Sequence, residues 1–261
     1  TLAEATKWVA ADHVQARLVA ATEGVGADGA VRLGLHIRLE EGWETYWRSP
    51  GDAGIPPEFD WSASQNAGEI SVAWPLPERF TALGMTTIGY QDEIVLPVTA
   101  TALNPNQPAK IRLHAAYAVC REVCYLVEQD FALDIPIGAA PDNGPLAALI
   151  ERFQATVPGQ NTPDFAVQSV AVSVGANAWI EILARSTIPM QAPDVIIEAP
   201  AGFSFNPATV RLLAGGRRAI FRSTYAAGAG TAQPLPGQMV IITVFDGDRA
   251  VQQSLPAVPA D

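Results

Sequence analysis

Cysteine, histidine and lysine are all scarce in this sequence, and the scarcity excludes whole classes of function. Its 261 residues include 2 cysteines and 3 histidines. A zinc site takes four ligands, mostly Cys and His. The single Cys-x-x-x-Cys pair supplies two of them, and His13, His36 and His114 are scattered along the chain. The sequence therefore predicts no resident metal and no other cofactor.

Positive charge is also in short supply. Lys and Arg number 16 against 27 Asp and Glu, a formal net charge of −11, and the lysines are Lys7 and Lys110. Nucleic acids and anionic membranes attract basic patches, so neither is a predicted partner. No apolar run reaches the roughly 18 residues of a membrane-spanning helix. The first residues lack the basic and apolar regions of a signal peptide, as expected of either a mature or a cytosolic chain.

What the sequence does contain is a long series of short alternating segments. Apolar and polar residues alternate with a period of two, which is typical of strands with one buried face. Proline and glycine, 21 of each, lie largely between these segments. The predicted strands are 14–20, 31–39, 70–74 and 94–101 in the first half, and 165–174, 179–185, 194–198, 210–213, 217–225, 239–246 and 249–254 in the second. The second set fits an immunoglobulin-like sandwich.

A composition break at 138–143 separates the two sets of strands, and a stretch with helical spacing follows it. The spacing is that of Leu146, Leu149, Ile150 and Phe153. The predicted architecture is all-β, with two immunoglobulin-like β-sandwich domains joined by a short linker helix. The predicted bounds are 1–137 for the first domain, 138–160 for the linker, and 161–261 for a second domain without cysteines.

Two irregular segments interrupt the first domain. Residues 42–57 are rich in aromatics and then in proline, which predicts that they form no central strand. Their aromatics are expected to close one end of the sandwich, and the alternative is a ligand groove lined by Trp43, Tyr46, Trp47 and Trp61. Residues 80–89 show no period and are predicted to form a loop. His36 has the polar parity of its strand and is expected to face solvent.

The two cysteines lie in a segment that predicts a hairpin, residues 110–137. Apolar residues alternate on both sides of Arg121-Glu122-Val123, which is short enough to be the hairpin loop. Cys120 and Cys124 would then be directly opposed on the more polar face, roughly 4.5–5.5 Å apart at Cα, which a disulfide allows. So small a ring restrains the unfolded chain little, which favours exchange chemistry. Lone pairs in secreted β-proteins are more often structural, so the residues alone leave both roles open.

Three separated blocks resemble the amino-terminal periplasmic domain of membrane thiol:disulfide interchange reductases, the DsbD/ScsB group. The blocks are GWETYWRSPGDAG at 42–54, TTIGY at 86–90 with VLPV at 95–98, and YAVCREVC at 117–124. The resemblance is nearer to the ScsB branch, which is linked by name to copper tolerance and whose larger periplasmic region leaves room for a second sandwich.

This resemblance implies an immunoglobulin-like domain with a redox-active Cys120–Cys124 pair. Such a domain is a thiol:disulfide oxidoreductase. It takes electrons from a membrane-embedded reductase domain of the same protein and passes them to periplasmic thioredoxin-fold partners. The chain is then the soluble periplasmic part of an inner-membrane protein. One thiolate attacks the partner and the other resolves the mixed disulfide. Cys124 is favoured as the attacker, because a strand interior lies behind Cys120.

The resemblance also implies residues around the pair. Aromatics flank it at Tyr46 and Tyr125, while Arg121 and Glu122 would act on a cysteine pKa in opposite directions. A cap loop covers the cysteines, and by position it comprises Leu83, Gly84, Met85, Thr86, Thr87 and Ile88. Two other functions stay open. One is a secreted binding module with a structural disulfide and an aromatic groove, and the other is capture of Cu(I) by the reduced pair, since soft thiolates select that ion.

Overall fold

The computed structural model describes residues 5–21, 24–51, 54–82, 85–138, 144–228, 231 and 233–260. The chain divides into two compact units, 1–157 and 158–261. Both are built of strands, and one short helix occurs in the described part, so the predicted all-β class is confirmed. No helix among the described residues is long and apolar enough to cross a membrane.

The first unit is a sandwich of two sheets. Its strands are β1 (Val9–Ala11), β2 (Val14–Ala20), β3 (Ala30–Leu39), β4 (Glu44–Gly51), β5 (Glu58–Asp60), β6 (Ile70–Val72), β7 (Glu78–Ala82), β8 (Met85–Gln91), β9 (Glu93–Thr101), β10 (Ala109–Cys120) and β11 (Cys124–Ile135). One sheet has the order β1-β2-β3-β9-β6, and the other has the order β11-β10-β4-β8-β7 with β5 beside β10. Ile37 and Leu96 of the first sheet line a small cavity together with Tyr90 and Tyr117 of the second, so the sheets pack face to face.

The helix α1 (Pro145–Gln154) covers the outer face of the first sheet. Ala147 and Ile150 pack there in one buried cluster with Val19 and Val95. A Cβ on Gly34 would lie 2.6 Å from Val95 Cγ1 and 3.0 Å from Ile150 Cγ1, so only glycine at that position lets the helix approach so closely. The predicted linker helix is therefore part of the first unit, because its apolar stripe is buried on that unit's own sheet.

His36 lies on the same outer face, where other side chains cover it. The prediction that it faces solvent was therefore wrong. Its side chain is fully buried. The Trp8 ring stands 4.7 Å from the imidazole, and the guanidinium groups of Arg17 and Arg38 lie 4.4 and 4.9 Å from the centre of that ring. The polar parity was right, but the stems of long side chains close this face to water.

The carboxylate of Glu93 accepts hydrogen bonds from three donors beside His36. One carboxylate oxygen accepts hydrogen bonds from His36 Nε2 at 2.8 Å and Arg38 Nε at 2.9 Å, and the other accepts one from Arg152 of α1 at 2.8 Å. Burial alone raises the pKa of Glu93, but the three donors outweigh it and lower the pKa to about 2. The carboxylate thus ties the helix to β3 and β9.

Segments 42–57 and 80–89 both depart from their predicted structures. Residues 44–51 form β4, which lies between β10 and β8, although no central strand was predicted there. The ladder from β4 to β8 is interrupted between Tyr46 and Gly51, and Pro50 falls in that gap, so its missing N–H breaks no ladder bond. The predicted loop at 80–89 forms most of the hairpin β7–β8 instead.

The aromatics of segment 42–57 are core residues, as expected, and form no groove. Trp43, Tyr46 and Trp47 are 8%, 5% and 0% exposed, respectively. Rings buried to this extent offer no face to a ligand. Trp61, the fourth aromatic of the alternative groove, is half-buried just before the turn at 62–63.

The second unit is also a sandwich. Its strands are β12 (Phe165–Val172), β13 (Trp179–Ser186), β14 (Asp194–Glu198), β15 (Phe203–Phe205), β16 (Thr209–Leu213), β17 (Arg218–Ala227), β18 (Met239–Asp246), β19 (Arg249–Pro256) and β20 (Val258–Pro259). The seven predicted strands are all present, and of the strands in the described part of this unit only the short β15 and β20 were missed. Ile182 and Phe221 of one sheet share a core with Ile242 and Val251 of the other.

Glu93 supplies a test of the first unit's stability. A carboxylate whose folded pKa is depressed stabilises the fold above its ordinary pKa, and the contribution is lost as pH falls from 4.5 towards about 2. Glu93→Gln should therefore lower the free energy of unfolding by about 1–2 kcal/mol at pH 7, after allowance for screening of a partly exposed group. Urea unfolding at several pH values measures it. Glu69→Gln, at an exposed site, should change little, and a Glu93→Gln deficit that persisted at the lowest pH would contradict this account.

Candidate functional site

The site is the end of the β10–β11 hairpin. The two strands pair residue for residue from Ala109 and Ile135 to Cys120 and Cys124, so the last pair of the ladder is the two cysteines. They form a disulfide with Cα atoms 4.1 Å apart. The N–H of Arg121 donates to the carbonyl of Val123 at 3.0 Å and closes the loop. The predicted hairpin and its register are confirmed.

The two sulfurs differ in their access to solvent. Cys120 is 2% exposed and packs with Tyr46 and Ala118 in a buried cluster, whereas Cys124 is exposed. The difference follows from the sheet order, because β10 has β4 on its other side and β11 is an edge strand. An incoming thiol or disulfide therefore meets Cys124 first.

Tyr46 touches the exposed sulfur. Its hydroxyl oxygen lies 3.8 Å from Cys124 Sγ, and its side chain packs in a buried cluster with Cys120. Burial, with the nearby charge of Glu44 as a smaller cause, raises the pKa of Tyr46. The phenol therefore stays protonated at neutral pH, so that it can donate a hydrogen bond to a thiolate at Cys124.

Glu44 lies opposite the buried sulfur on the neighbouring strand. The β4–β10 register pairs Glu44 with Cys120 and Thr45 with Val119, and Thr45 Oγ1 donates to the carbonyl of Ala118 at 2.9 Å. Burial raises the pKa of Glu44, and a hydrogen bond from Thr87 at 3.3 Å lowers it by less. Sequence reasoning missed this residue because its segment was not predicted to be a strand. The shared parity of Glu44 and Tyr46 was the available signal.

The other predicted flanking residues are less close to the sulfurs. Tyr125 is turned to the opposite face, where its ring lies 5.7 Å from Trp43 and 5.5 Å from His13. Arg121 and Glu122 are exposed in the loop. The Arg121 guanidinium carbon lies 3.5 Å from where a Cβ on Gly42 would be, so this side chain reaches back over the β3–β4 turn.

The predicted cap is only partly visible. Leu83 and Gly84 lie outside the described residues. Met85, Thr86, Thr87 and Ile88 begin β8 and are not a loop. Thr87 contacts Glu44, which brings this strand to the neighbourhood of the pair. That the segment shields the cysteines stays a prediction.

Metal binding has little support in the described residues. They include no group of three or more His, Cys, Asp or Glu side chains arranged to hold an ion. Capture of Cu(I) by the reduced pair needs only the two thiolates, and it stays a prediction.

In a comparison with known proteins, each of the two units matches a family model. The family model described as "Thiol:disulfide interchange protein DsbD, N-terminal" matches residues 12–136, and a domain of unknown function, DUF8393, matches residues 156–260. A search of curated proteins found no match.

A solved structure resembles the chain over nearly its whole length. It is the crystal structure of the N-terminal periplasmic domain of ScsB from Proteus mirabilis, with a TM-score of 0.77 and 22% sequence identity. The alignment covers 98% of this chain and 99% of that one. At this identity the likeness establishes the fold, and the DsbD match contains the entire cysteine hairpin. Residues 12–136 of the first unit are therefore similar to the N-terminal domain of the thiol:disulfide interchange protein DsbD, and the chain as a whole has the fold of the ScsB periplasmic domain.

Proposed function

We propose that this chain is a periplasmic thiol–disulfide exchange domain. It takes electrons from a membrane-embedded reductase domain of the same protein and passes them to thioredoxin-fold partners in the periplasm. The observation that carries the proposal is the asymmetry of the Cys120–Cys124 disulfide, with one exposed sulfur at a sheet edge and one buried sulfur behind it. Exchange through a mixed disulfide needs an accessible attacking thiolate, and a second thiol beside it can then resolve the intermediate.

The chemistry follows from this asymmetry. In the reduced protein the Cys124 thiolate attacks the partner's disulfide, so that a mixed disulfide forms and one partner thiolate leaves. Cys120 then attacks Cys124 Sγ, the intramolecular disulfide re-forms, and the second partner thiolate leaves. Two electrons and two protons pass to the partner. The Tyr46 hydroxyl stabilises the Cys124 thiolate by hydrogen bonding.

The disulfide contributes little as a structural cross-link. In the chain-entropy model a ring this small stabilises the fold by only about 2 kcal/mol. The strands it joins are already paired along their whole length. The alternative binding module also lacks its groove, since Trp43, Tyr46 and Trp47 are buried.

The surface around Cys124 suits a protein partner. Val123, Tyr125 and Leu126 are 57%, 38% and 72% exposed; Val123 directly precedes Cys124, and Tyr125 and Leu126 are the two residues that follow it. Exposed apolar side chains of this kind are typical of surfaces that bind other proteins. An oxidising compartment fits a chain whose two cysteines are joined.

The direct test of the function is transfer to a partner. We expect the reduced full chain to reduce an oxidised thioredoxin-fold protein of the periplasm, and Cys124→Ser to abolish transfer because the attacking sulfur is lost. Cys120→Ser should instead accumulate the mixed disulfide, since nothing resolves it. Non-reducing electrophoresis and mass spectrometry distinguish these results. A reduced wild-type chain that transfers no electrons to any such partner would refute the proposal.

The first unit should also remain folded when the disulfide is reduced. Because the bond closes so small a ring, we expect reduction to lower the melting temperature of the first unit by less than about 10 °C. Calorimetry of the oxidised and reduced chain measures this, and a Cys120→Ala/Cys124→Ala double variant serves as the control that should match the reduced protein. Unfolding of the unit on reduction would make the disulfide structural.

The first unit should be sufficient for disulfide exchange. The second unit contains no cysteine, so residues 1–157 should exchange disulfides without it, although more slowly if the second unit widens the docking surface. The comparison is the rate of partner reduction by the reduced truncated and full chains. Residues 1–137 are the control, because loss of α1 uncovers Val19 and Val95 and should lower stability. A folded 1–157 fragment without any transfer would show that the second unit makes an essential contact.

A further inference from the structure

The buried cysteine raises a problem of proton transfer. Once the disulfide is reduced, Cys120 carries a thiol that must lose its proton before it attacks the mixed disulfide. The sulfur is enclosed by Tyr46 and Ala118, and burial of this kind disfavours the charged thiolate relative to the neutral thiol. Solvent has little access to it, so the proton needs an acceptor within the protein.

Glu44 is placed to be that acceptor. It is the residue directly opposite Cys120 in the β4–β10 ladder, and the Thr45–Val119 pair beside it holds the register. Directly opposed residues share a face of the sheet, with Cβ atoms about 4.5–5.5 Å apart. The buried contact of Tyr46, two residues along β4, with Cys120 confirms which face this is. A glutamate side chain is long enough to span that separation.

We propose that the Glu44 carboxylate accepts the proton of the Cys120 thiol in the resolving step and returns it to the partner sulfur that leaves. The proposal rests on the exchange function proposed above and names the group that makes its second step possible. The Cys120 S–H bond breaks and the proton passes to Glu44. The Cys120–Cys124 bond forms, the bond from Cys124 to the partner breaks, and the departing thiolate takes the proton. Atoms and electrons balance without any further reactant.

The present contacts of Glu44 leave it free for this role. The hydrogen bond from Thr87 measures 3.3 Å, longer than the usual 2.5–3.0 Å between hydroxyl and oxygen, so it is a weak restraint. In the disulfide form Cys120 has no proton to give. After reduction the carboxylate has a donor on the adjacent strand. Burial raises the pKa of Glu44, which makes it a better base for a thiol than an exposed carboxylate.

In the described part of the chain, the charged and titratable groups near this carboxylate can be named. Its neighbours on the same face of β8 are Gln91, Gly89 and Thr87, all uncharged, and Glu78 is the same-face charge on β7. Other titratable or charged groups nearby are Tyr46, Cys124, Arg48 (stacked over Trp47), and Arg121 and Glu122 in the hairpin loop. Of the carboxylates described, Glu44 alone is directly opposed to a cysteine.

Ellman's reagent separates the two chemical steps. With the reduced full chain, attack by Cys124 releases the first coloured thiolate and resolution by Cys120 releases the second. Glu44→Gln should slow the second release about tenfold or more at pH 7 and leave the first within about twofold. Glu58→Gln is the matched control. It makes the same change on β5 opposite Ala116, on the same face four residues from Cys120, and should alter neither release.

The pH profile distinguishes a base from a merely structural residue. In the wild type the second release should stay level at neutral pH and decline only as pH falls through the raised pKa of Glu44. In Glu44→Gln it should follow the thiolate fraction of Cys120, falling about tenfold per pH unit below the thiol's pKa. Glu44→Asp keeps a carboxylate but places it farther from Cys120, so the second release should have an intermediate rate and the pH profile of the wild type. If Glu44→Gln does not fold, this variant serves as the test instead.

The outcomes separate this proposal from the one on which it rests. A second release that is unchanged or faster in Glu44→Gln, with a normal first release, would overturn the role of Glu44 and leave exchange intact. A wild-type chain that transfers no electrons to a protein partner would instead overturn the exchange function itself.

Discussion

The unbroken pairing of β10 with β11 is the constraint on which the site depends. Twelve consecutive register pairs end at Cys120 and Cys124. A slip of one residue would move every side chain to the other face, and the inward row of Phe131, Leu133 and Ile135, each nearly fully buried, opposes such a slip. The hydrophobic core therefore determines where the two sulfurs meet. The disulfide is a consequence of this register and not its cause.

The position of β4 adds the chemical asymmetry. As the inner neighbour of β10, it brings Tyr46 and Glu44 to the cysteine face and buries one sulfur while the other stays at the sheet edge. A hydroxyl donor then serves the exposed sulfur, and a carboxylate opposes the buried one. The two steps of an exchange reaction need these different surroundings, because the attacking sulfur must be accessible to another protein, whereas the resolving sulfur reacts only after the mixed disulfide has formed.

Sequence alternation was sufficient for the hairpin, the cysteine pairing and the seven main strands of the second unit. These elements have strict two-residue periodicity and clear turns, so local pattern and tertiary structure agree. Strands β18 and β19, which follow one another across a short turn, are of this kind. The resemblance to known reductases placed Tyr46 beside the pair, where its hydroxyl now lies near Cys124.

The missed features depend on long-range contacts. β4 was overlooked because Pro50 argues against a central strand, and only the broken ladder explains how it is accommodated. His36 has a polar parity, but Trp8 from a distant segment covers it. The packing of α1 on the first sheet depends on Gly34, which lies more than a hundred residues before the helix. No local sequence pattern predicts a contact between residues so far apart. Glu44 was missed as a site residue because its strand, β4, was not predicted.

The reduction potential of the Cys120–Cys124 couple tests the central claim most directly. Equilibration of the full chain with glutathione or dithiothreitol buffers, read by alkylation and mass spectrometry, measures it. A small ring with one exposed sulfur, used for exchange, should give a value among those of exchange proteins, about −120 to −270 mV. A value well below about −300 mV would mark a structural cross-link and contradict the account.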